Sequence, residues 1–389
     1  MLASMVTPAL SSRLPGVGTT IFTVVSQLAA EHRAVNLAQG FPDFEPPERL
    51  RALVTQYLGS RHNQYAPMAG VLALREAIAE KIAREHGRSP SPGDEITVTC
   101  GATEALACAI LATVGPGDEA ILLEPCYDSY EPVIALAGGA PVRVPLLRPA
   151  FAPDWEALAR ALGPRTRLVV VNSPHNPSGA LLDRAELDRL AALLRPTRAL
   201  LLADEAYEHV TFDGARHESV HGHPELRERA FVVSSFGKTF HATGWKVGSC
   251  VAPPPLTAEL RKVHQFVTFA ITTPVQHALA AFLREAPEVP AALPAFYQER
   301  RDRFLALLEG SRFRATPARG TYFQLLDCSA VTDLPEGEFA LALLREHGVA
   351  AIPVSAFCQA PPPGERLLRF CFAKPDPVLQ AAAQRLRAV

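Results

Sequence analysis

The chain has 389 residues, a length that predicts two or three structural lobes around a large buried core. Hydrophobic residues make up 48% of the sequence, charged residues make up 20%, and the formal net charge is −2. This is the balance of an ordinary folded protein, and it lacks the excess of Lys and Arg that binding to nucleic acid or an anionic membrane requires. We therefore expect a protein that acts on small molecules.

The seven cysteines are scattered and never occur as C-x-x-C, so the sequence indicates neither a disulfide framework nor a zinc cluster. The segment 1–18 lacks the charged and then apolar order of a signal peptide. No apolar run approaches the ~18 residues that a membrane-spanning helix needs. We expect a cytoplasmic protein whose cysteines are buried thiols.

Helix-like and strand-like segments alternate along most of the chain, which predicts an α/β fold with a mostly parallel sheet. The spacing of apolar residues predicts helices over 46–60 and 71–87, and a further helix from Thr103 onward. Short apolar runs predict strands over 95–99, 119–123, 168–171, 199–203 and 230–234. Polar residues follow these strands, and open α/β sheets bind ligands beyond the carboxyl ends of their strands. Several strand ends are therefore expected to share one site.

The texture of the sequence changes near residue 283, where a proline-rich stretch begins. A long charged helix is expected near 293–309, and further strands are expected around 321–327 and 367–373. These features predict three regions. They are an N-terminal arm with part of the small domain over 1–45, a large domain over 46–283 and a small C-terminal α+β domain over 284–389.

Two lysines draw attention because only five of the 38 basic residues are lysine. Lys238 lies in a glycine-containing loop after a predicted strand, and Lys246 follows eight residues later. A surface lysine is usually solvated, but a lysine beside the ligand crevice of a sheet can lose its water and become a nucleophilic amine. Ser235, three residues before Lys238, can donate its hydroxyl to an anion.

Two further strand ends carry polar groups of interest. Asp204 is followed by Tyr207, and this pair has two interpretations: the carboxylate caps the next helix, or it stabilises a buried cation while the phenol donates a hydrogen bond. Asn176 precedes Pro177, which keeps its backbone extended and can aim its amide into the same crevice. His175 is interpreted as a loop histidine and not as a catalytic base.

The segment 100–105 is a strand–turn–helix junction whose free backbone N–H groups favour an anion. It matches neither G-x-G-x-x-G nor a P-loop, so we expect a single phosphate and no dinucleotide. Tyr127, at the next strand end, either stacks on a flat ring or packs in the core. Arg369 lies in an apolar strand, where a buried guanidinium needs a partner such as a carboxylate.

Seven motifs together resemble the class I/II aminotransferases, enzymes of fold type I that use pyridoxal 5′-phosphate (PLP). In chain order the motifs are Asn36–Asp43, Asn63–Tyr65, Gly101–Thr103, Asn176–Gly179, Asp204–Tyr207, Ser235–Lys238 and Arg369–Phe372. The chain looks most like the branch of bacterial methionine aminotransferases and of glutamine transaminase K and kynurenine aminotransferases. The resemblance implies a large domain, with a mostly parallel sheet of the seven-stranded type between helices, and a smaller α+β domain.

The resemblance also assigns roles to residues. Lys238 would bind the cofactor covalently and move a proton at the substrate α-carbon, and Asp204 would pair with the pyridine nitrogen. Tyr207 and Asn176 would hydrogen-bond the phenolate oxygen, and Tyr127 would stack on the ring. The residues implied around the phosphate are Gly101, Ala102, Thr103, Ser235, Lys246 and, from the neighbouring subunit, Tyr65. This last contact implies a homodimer with shared active sites.

The substrates implied are an amino acid and a 2-oxo acid that exchange an amino group in a ping-pong cycle. Arg369 would bind the α-carboxylate, assisted by Asn176 and the backbone of Gly40. No motif places a second arginine for a distal carboxylate, so a dicarboxylic donor is disfavoured. The residues expected around an apolar side chain are Phe22, Phe41, Tyr65, Tyr127 and Phe269.

This pocket favours methionine, phenylalanine or tyrosine, with glutamine and kynurenine as alternatives. Ala270 and Thr103 differ from the pattern of animal kynurenine aminotransferases, which have His and Tyr there, and so favour the methionine type. Two other hypotheses are kept: β-elimination from cysteine conjugates at the same PLP site, and a PLP-binding regulatory module.

Overall fold

Helices and strands alternate along the residues that the structure, a computed structural model, describes, which are 11–389. The helices are α1 (Ile21–Glu31), α2 (Glu48–Leu58), α3 (Leu72–His86), α4 (Gly101–Thr113), α5 (Tyr130–Ala137), α6 (Trp155–Ala161), α7 (Arg184–Leu194), α8 (Pro224–Arg227), α9 (Phe236–Thr239), α10 (Pro254–Val267), α11 (Thr273–Glu285), α12 (Glu288–Leu307), α13 (Glu336–His347) and α14 (Asp376–Arg387). The strands are β1 (Val35–Asn36), β2 (Ile96–Cys100), β3 (Glu119–Glu124), β4 (Ala140–Leu147), β5 (Ala152–Pro153), β6 (Thr166–Asn172), β7 (Leu200–Asp204), β8 (Ala230–Ser235), β9 (Val247–Val251), β10 (Phe323–Asp327), β11 (Val349–Ala350), β12 (Ile352–Pro353) and β13 (Leu367–Cys371).

The main sheet has the strand order β2-β9-β8-β7-β6-β3-β4, and the two-residue strand β5 extends its edge. Neighbouring strands from β8 to β4 are parallel, whereas β9 runs antiparallel to both β2 and β8. The central strands are almost entirely buried, because helices cover both faces of the sheet. The predicted α/β fold with a mostly parallel sheet is confirmed.

A second, three-stranded antiparallel sheet is formed by β10, β13 and β12. Apolar residues of α12, α13 and α14 pack on it in one core. The N-terminal segment joins this part of the molecule, since β1 pairs with β11 and α1 packs against Ile352 and Phe357. The domain boundaries after residues 45 and 283 stay a prediction.

One predicted boundary is wrong for a simple reason. The charged helix expected near 293–309 begins at Glu288, inside the proline-rich stretch. Pro290 lies in the first turn of α12, where the missing N–H has no intrahelical partner to lose. Pro294 lies inside the helix. The helix therefore begins five residues earlier than expected, within the proline-rich stretch.

The sheet topology concentrates polar groups at one edge. The carboxyl ends of β3, β6, β7 and β8 lie side by side, and α4 begins directly after β2. Gly101, the first residue of α4, has φ +71°, and a Cβ on Gly248 would lie 2.7 Å from the amide nitrogen of Ala102. Glycine at these two positions lets β9 approach the N-terminus of α4. None of the helices between residues 11 and 389 combines the length and hydropathy that crossing a membrane requires.

Candidate active site

A cavity of about 380 Å³ opens at this edge of the sheet, between the large sheet and the β10–β13 sheet. It brings together most of the side chains that the sequence predicted, from segments far apart in the chain. The predicted residues that line it are Phe22, Gly40, Phe41, Gly101, Ala102, Thr103, Tyr127, Asn176, Asp204, Tyr207, Ser235, Lys238, Lys246 and Arg369.

Lys238 projects from the short helix α9, which begins where β8 ends. Its Nζ donates a hydrogen bond to the Gly40 carbonyl at 3.1 Å, and within residues 11–389 it forms no ion pair with a carboxylate. Burial lowers the pKa of the amine to about 8; the charges of Arg369 and Lys246 act in the same direction, whereas Asp204 and Cys371 oppose them without reversing the shift. A neutral, nucleophilic amine is therefore accessible near physiological pH.

Asp204 ends β7 and is buried. Its Oδ2 accepts a hydrogen bond from the Tyr130 hydroxyl at 2.6 Å, and its Oδ1 accepts one from the Ala206 amide at 3.1 Å. Turns, and no helix, follow this residue, so the carboxylate does not cap a helix. Burial raises the pKa of Asp204, while the hydrogen bond from Tyr130 opposes that rise. A buried acid of this kind is suited to stabilising a cation that arrives with a ligand.

Arg369 reaches the cavity from β13 and is only 1% exposed. Its Nη1 donates to Asn176 Oδ1 at 2.7 Å and its Nη2 donates to the Ala38 carbonyl at 3.0 Å. The buried Nε has no partner in the described part of the chain, which includes no acidic group in ion-pair contact with this guanidinium. Burial lowers the pKa of Arg369 to about 10, although the side chain stays charged. The site therefore presents a cation that lacks its anion.

Aromatic and amide groups surround these charges. The rings of Tyr207 and Tyr322 meet edge to face with centroids 5.2 Å apart, and the Tyr322 hydroxyl donates to the Gly40 carbonyl at 3.0 Å. Burial raises the pKa of Tyr207, so its hydroxyl remains a proton donor. Asn176 is fixed by its backbone amide, which donates to Asn172 Oδ1 at 2.8 Å.

The N-terminus of α4 forms the opposite end of the cavity. Gly101, Ala102 and Thr103 supply the first turn, whose N–H groups have no intrahelical acceptor. A Cβ placed on Gly101 would lie 3.4 Å from the Nζ of Lys246, so this ammonium group lies next to the first turn of α4. Ser235 ends β8 on the same side. Backbone N–H groups, a hydroxyl and an ammonium are together a typical phosphate-binding set.

Two predicted residues lie elsewhere. Tyr65 is 85% exposed and packs edge to face on Phe269 with centroids 5.5 Å apart, and neither residue lines the cavity.

His175 is buried in its loop, where its ring nitrogens contact the Pro125 carbonyl and the Ser178 hydroxyl. Burial lowers the pKa of His175 to about 4, which agrees with a structural role.

Four polar residues are among those that sequence reasoning missed at the site. Tyr130 binds Asp204, Asn172 positions Asn176, Tyr322 binds Gly40, and Asp128 lines the cavity. Two of these missed residues were within reach of the sequence argument. Asp128 and Tyr130 follow Tyr127 at the same strand end, and a polar run at that position was itself the signal.

The chain matches the family Aminotransferase class I and II over residues 32–386. It is 52% identical to the methionine aminotransferase of Escherichia coli K12, with 97% of each chain covered. The chain belongs to the class I and II aminotransferases. A crystal structure from E. coli described as having methionine aminotransferase function superposes with a TM-score of 0.96 at 51% identity, covering 98% of this chain and 100% of that one.

Two more distant relatives extend this result. The chain is 41% identical to a probable N-succinyldiaminopimelate aminotransferase of Mycobacterium tuberculosis, covering 96% of this chain and 97% of the relative. It is 34% identical to kynurenine–oxoglutarate transaminase 1 of Rattus norvegicus, covering 96% of each. These likenesses confirm the predicted family branch, the fold and the amino-acid aminotransferase function.

Members of this family depend in general on PLP and act on amino acids and 2-oxo acids. None of the relatives named above is named for β-elimination, and that hypothesis gains no support.

Proposed function

We propose that this aminotransferase binds PLP in the cavity and takes its amino group from methionine or another L-amino acid with an apolar, sulfur-containing or aromatic side chain. The observation that carries the proposal is the arrangement around Lys238. An amine that forms no ion pair within residues 11–389 lines the same cavity as a buried carboxylate, Asp204, and the phosphate-type site of α4.

The donor set fits this cofactor on the chemistry of its two ends. The amides of Gly101, Ala102 and Thr103, with Ser235 and Lys246, suit a phosphate. Asp204 suits a protonated ring nitrogen, because an ionised carboxylate in a dry site requires a cation beside it. Tyr127 lines the cavity between these ends, where its ring can stack on a flat ligand.

When bound, PLP supplies an electron sink for the bonds at the substrate α-carbon. Lys238 links the cofactor to the protein and moves the proton at that carbon, which its lowered pKa allows near neutrality. Asp204 keeps a proton on the ring nitrogen, and Tyr130 orients the carboxylate. The Oδ1 of Asn176 already accepts from Arg369, so its Nδ2 remains free to donate, together with Tyr207, to the phenolate oxygen.

Arg369 binds the substrate α-carboxylate, the anion that its surroundings lack. The rings of Phe323, Phe357 and Phe22 lie 4.1, 4.9 and 5.3 Å from its guanidinium carbon. This apolar wall suits a side chain such as that of methionine. The 52% identical methionine aminotransferase of E. coli supports the same donor class.

We also propose a homodimer in which Tyr65 and Phe269 complete the partner's site. The two rings contact each other, and Phe266 and Val267, two or three residues before Phe269 in the chain, are exposed as well. Large exposed apolar groups that cluster in this way mark an interaction surface. The cytoplasmic location expected from the sequence stays a prediction.

The test is a half-reaction followed by absorption spectroscopy. Single L-amino acids are added without any oxo acid to the protein loaded with PLP. We expect a visible cofactor band that methionine and phenylalanine convert to the near-ultraviolet band of the aminated cofactor. Lys238→Ala should lack the visible band, whereas Lys262→Ala, on an exposed lysine paired with Glu259, should keep it. A protein that shows no band after addition of PLP contradicts the cofactor proposal, and a band unchanged by every donor contradicts the substrate proposal.

Mixing two inactive variants tests the shared site. In a hybrid dimer of Lys238→Ala and Tyr65→Ala, one site contains both intact residues if Tyr65 acts across the interface. Random reassociation should then restore about a quarter of the wild-type sites. No recovery on mixing would show that Tyr65 acts within its own subunit, and full activity of Tyr65→Ala on its own would show that Tyr65 has no part in the site.

A further inference from the structure

An acidic side chain belongs to the first turn of α4, the turn whose N–H groups suit a phosphate. This residue is Glu104, and its Oε2 accepts a hydrogen bond from the amide of Cys100 at 2.9 Å. Cys100 ends β2 directly before α4, and its amide is one residue from that of Gly101. Glu104 therefore fixes the junction between β2 and α4, but it also brings a negative charge close to the place where an anion would bind.

This negative charge has a buried counter-charge. The Nδ1 of His264, in α10, lies 2.7 Å from Glu104 Oε1, and no other cation among residues 11–389 is in ion-pair contact with Glu104. The His264 side chain is fully buried, and that of Glu104 is 9% exposed. The thiol of Cys108 donates to the same Oε1 at 2.9 Å. Water therefore screens the carboxylate weakly, and its charge is compensated by the imidazole.

The hydrogen bonds of His264 determine how many protons the pair carries. Its Nε2 lies 2.9 Å from the carbonyl oxygen of Met68, which can only accept, so Nε2 carries a proton. A second proton must lie between Nδ1 and the Glu104 carboxylate, because neither atom can donate without it. Burial alone lowers the pKa of His264 and raises that of Glu104, but their mutual hydrogen bond is the strongest of the contacts that reverse both shifts. The pair is therefore an imidazolium beside a carboxylate, with a net charge of zero.

We propose that His264 is a positioning residue for the cofactor phosphate: it neutralises Glu104 and holds this carboxylate against the amide of Cys100. The inference rests on the proposed function, in which the phosphate binds at the N-terminus of α4. With His264 charged, the turn keeps its shape and the phosphate meets backbone N–H groups, a hydroxyl and Lys246. Without that charge, an uncompensated carboxylate would repel the phosphate through the protein interior, where the dielectric constant is low.

The same imidazole also binds the loop that carries Tyr65. Met68, the acceptor for Nε2, follows Tyr65 by three residues, and the loop is held a second time where Thr273 Oγ1 donates to the Gln64 carbonyl at 2.6 Å. In the proposed homodimer Tyr65 reaches the phosphate of the partner's site. His264 thus contacts both of the elements that would bind a phosphate, one in each site.

Comparing two forms of the cofactor isolates the contribution of the phosphate. Pyridoxal has the ring and the aldehyde of PLP but no phosphate, so the ratio of their Kd values reports on the phosphate site. Equilibrium dialysis of the cofactor-free protein measures both values without any turnover. The wild type should bind PLP much more tightly than pyridoxal. His264→Asn keeps a donor near the position of Nδ1 but carries no charge, and it should reduce this preference about tenfold while the affinity for pyridoxal is unchanged. His264→Gln replaces it if His264→Asn does not fold.

Glu104→Gln distinguishes an electrostatic role from a merely structural one. It removes the negative charge but keeps an oxygen that can accept from Cys100, so the preference for PLP should not fall. The double variant, Glu104→Gln with His264→Asn, has no charge at either position and should regain the wild-type preference. His223→Asn is the matched control, because His223 is also buried and pairs with Asp188 at 3.0 Å, and neither residue lines the cavity. Both of its Kd values should equal those of the wild type.

Three results would overturn the inference. Equal losses of PLP and pyridoxal binding in His264→Asn would mean that the imidazole only supports the fold, and a double variant no better than His264→Asn would mean the same. A preference for PLP in His264→Asn equal to that of the wild type would show that the charge of Glu104 does not act on the phosphate. The proposed function fails in a different way. A wild-type protein that binds PLP no more tightly than pyridoxal has no phosphate site at α4, and the inference then fails with it.

Discussion

Two lysines whose amines are desolvated, Lys81 and Lys238, differ in what surrounds them. Lys81 lies in α3, where its Nζ contacts Glu208 at 2.7 Å and Glu85 at 3.6 Å. Burial alone lowers the pKa of Lys81, but these two carboxylates raise it above its ordinary value. The Lys238 side chain is partly exposed, but its amine is desolvated and has no carboxylate in ion-pair contact among residues 11–389, so its pKa falls to about 8. Desolvation therefore does not by itself make a lysine reactive, because the ion pairs of Lys81 reverse its effect on the pKa.

Two buried arginines, Arg301 and Arg369, also differ in whether an acidic side chain lies beside them. Arg301 in α12 donates two hydrogen bonds to Asp213 and contacts Asp302, and its pKa is raised. Arg369 donates only to neutral oxygens, and its pKa is lowered to about 10. Lys81 and Arg301, which stabilise the fold, form ion pairs with acidic side chains. Lys238 and Arg369, in the cavity, form no such ion pair among residues 11–389 and can bind groups that a ligand supplies. Lys374 is also buried and forms no ion pair within residues 11–389, but it lines a different cleft and not the cavity that holds Lys238.

The largest expected effect follows from Lys238→Met. We expect the rate of amino transfer to fall by about 10⁴-fold or more, the upper range for a lost proton-transfer group. The free energy of unfolding of the cofactor-free protein at pH 7 should not fall, because the change removes an uncompensated buried charge. Single-turnover kinetics and urea unfolding measure the two effects. A strongly destabilised variant would show that Lys238 has a stabilising partner.

Lys81→Met should have the opposite effect. Removing Lys81 leaves Glu208 buried without its counter-ion, which costs about 3–5 kcal/mol of folding free energy. Activity per folded molecule should stay within a few-fold of the wild type when it is assayed below the lowered melting temperature. If Lys81→Met abolished activity in protein that circular dichroism shows to be folded, the comparison between the two lysines would be wrong.

Arg369→Lys, compared with Arg301→Lys, tests the arginine pair. Lysine keeps the charge but cannot bind a carboxylate with two parallel hydrogen bonds, so the KM for methionine should rise about 10- to 100-fold. Arg301→Lys should reduce stability and leave KM unchanged. Steady-state kinetics and thermal unfolding of both variants separate the two roles, and equal KM effects would refute the distinction.

The smallest effect is expected from Tyr130→Phe. This change removes the hydrogen bond to Asp204, which opposes the rise in the pKa of that carboxyl group. The pKa of Asp204 should therefore rise further, the acidic limb of the pH–rate profile should move to higher pH, and kcat should fall about tenfold. Tyr297→Phe, on a hydroxyl with no partner among the described residues, is the matched control. An acidic limb at the same pH in Tyr130→Phe and the wild type would count against this role.

Much of the fold and most cavity residues were predictable, because strand-end positions and motifs depend on local sequence. The strands over β3, β6, β7 and β8 are runs of apolar residues, and each ends at a polar group. The short strand β9 was missed, since it follows Lys246 without a turn signal of its own. Tyr322 was not assigned to the site, because its hydroxyl meets Gly40 only through long-range packing.

The contrast between Lys81 and Lys238 also lay beyond the sequence. Glu208 is 127 residues from Lys81, and nothing local connects them. Whether a buried lysine has an acid beside it depends on how distant elements pack, so the pKa of each lysine requires the structure.

The central claim is that Lys238 is a desolvated amine with a lowered pKa. Its most direct test is how the difference in unfolding free energy between the wild type and Lys238→Met changes with pH. The free energies of unfolding of the cofactor-free wild type and of Lys238→Met are measured at one protein concentration from pH 7 to 11. Below about pH 8 both folded and unfolded wild type carry the Lys238 proton. Between about pH 8 and its ordinary pKa of 10.5 only the unfolded wild type carries it. Wild-type stability should therefore rise relative to Lys238→Met across this window, by about 3 kcal/mol in total, because each pKa unit contributes 1.36 kcal/mol.

The contribution of Lys81 is common to both proteins and cancels in the difference. A rise confined to this window is the result that a buried, unpaired amine predicts. A difference that stays flat from pH 7 to 11, or that falls as the pH rises, would show that Lys238 has an ordinary or a raised pKa, and the account of the site would fail.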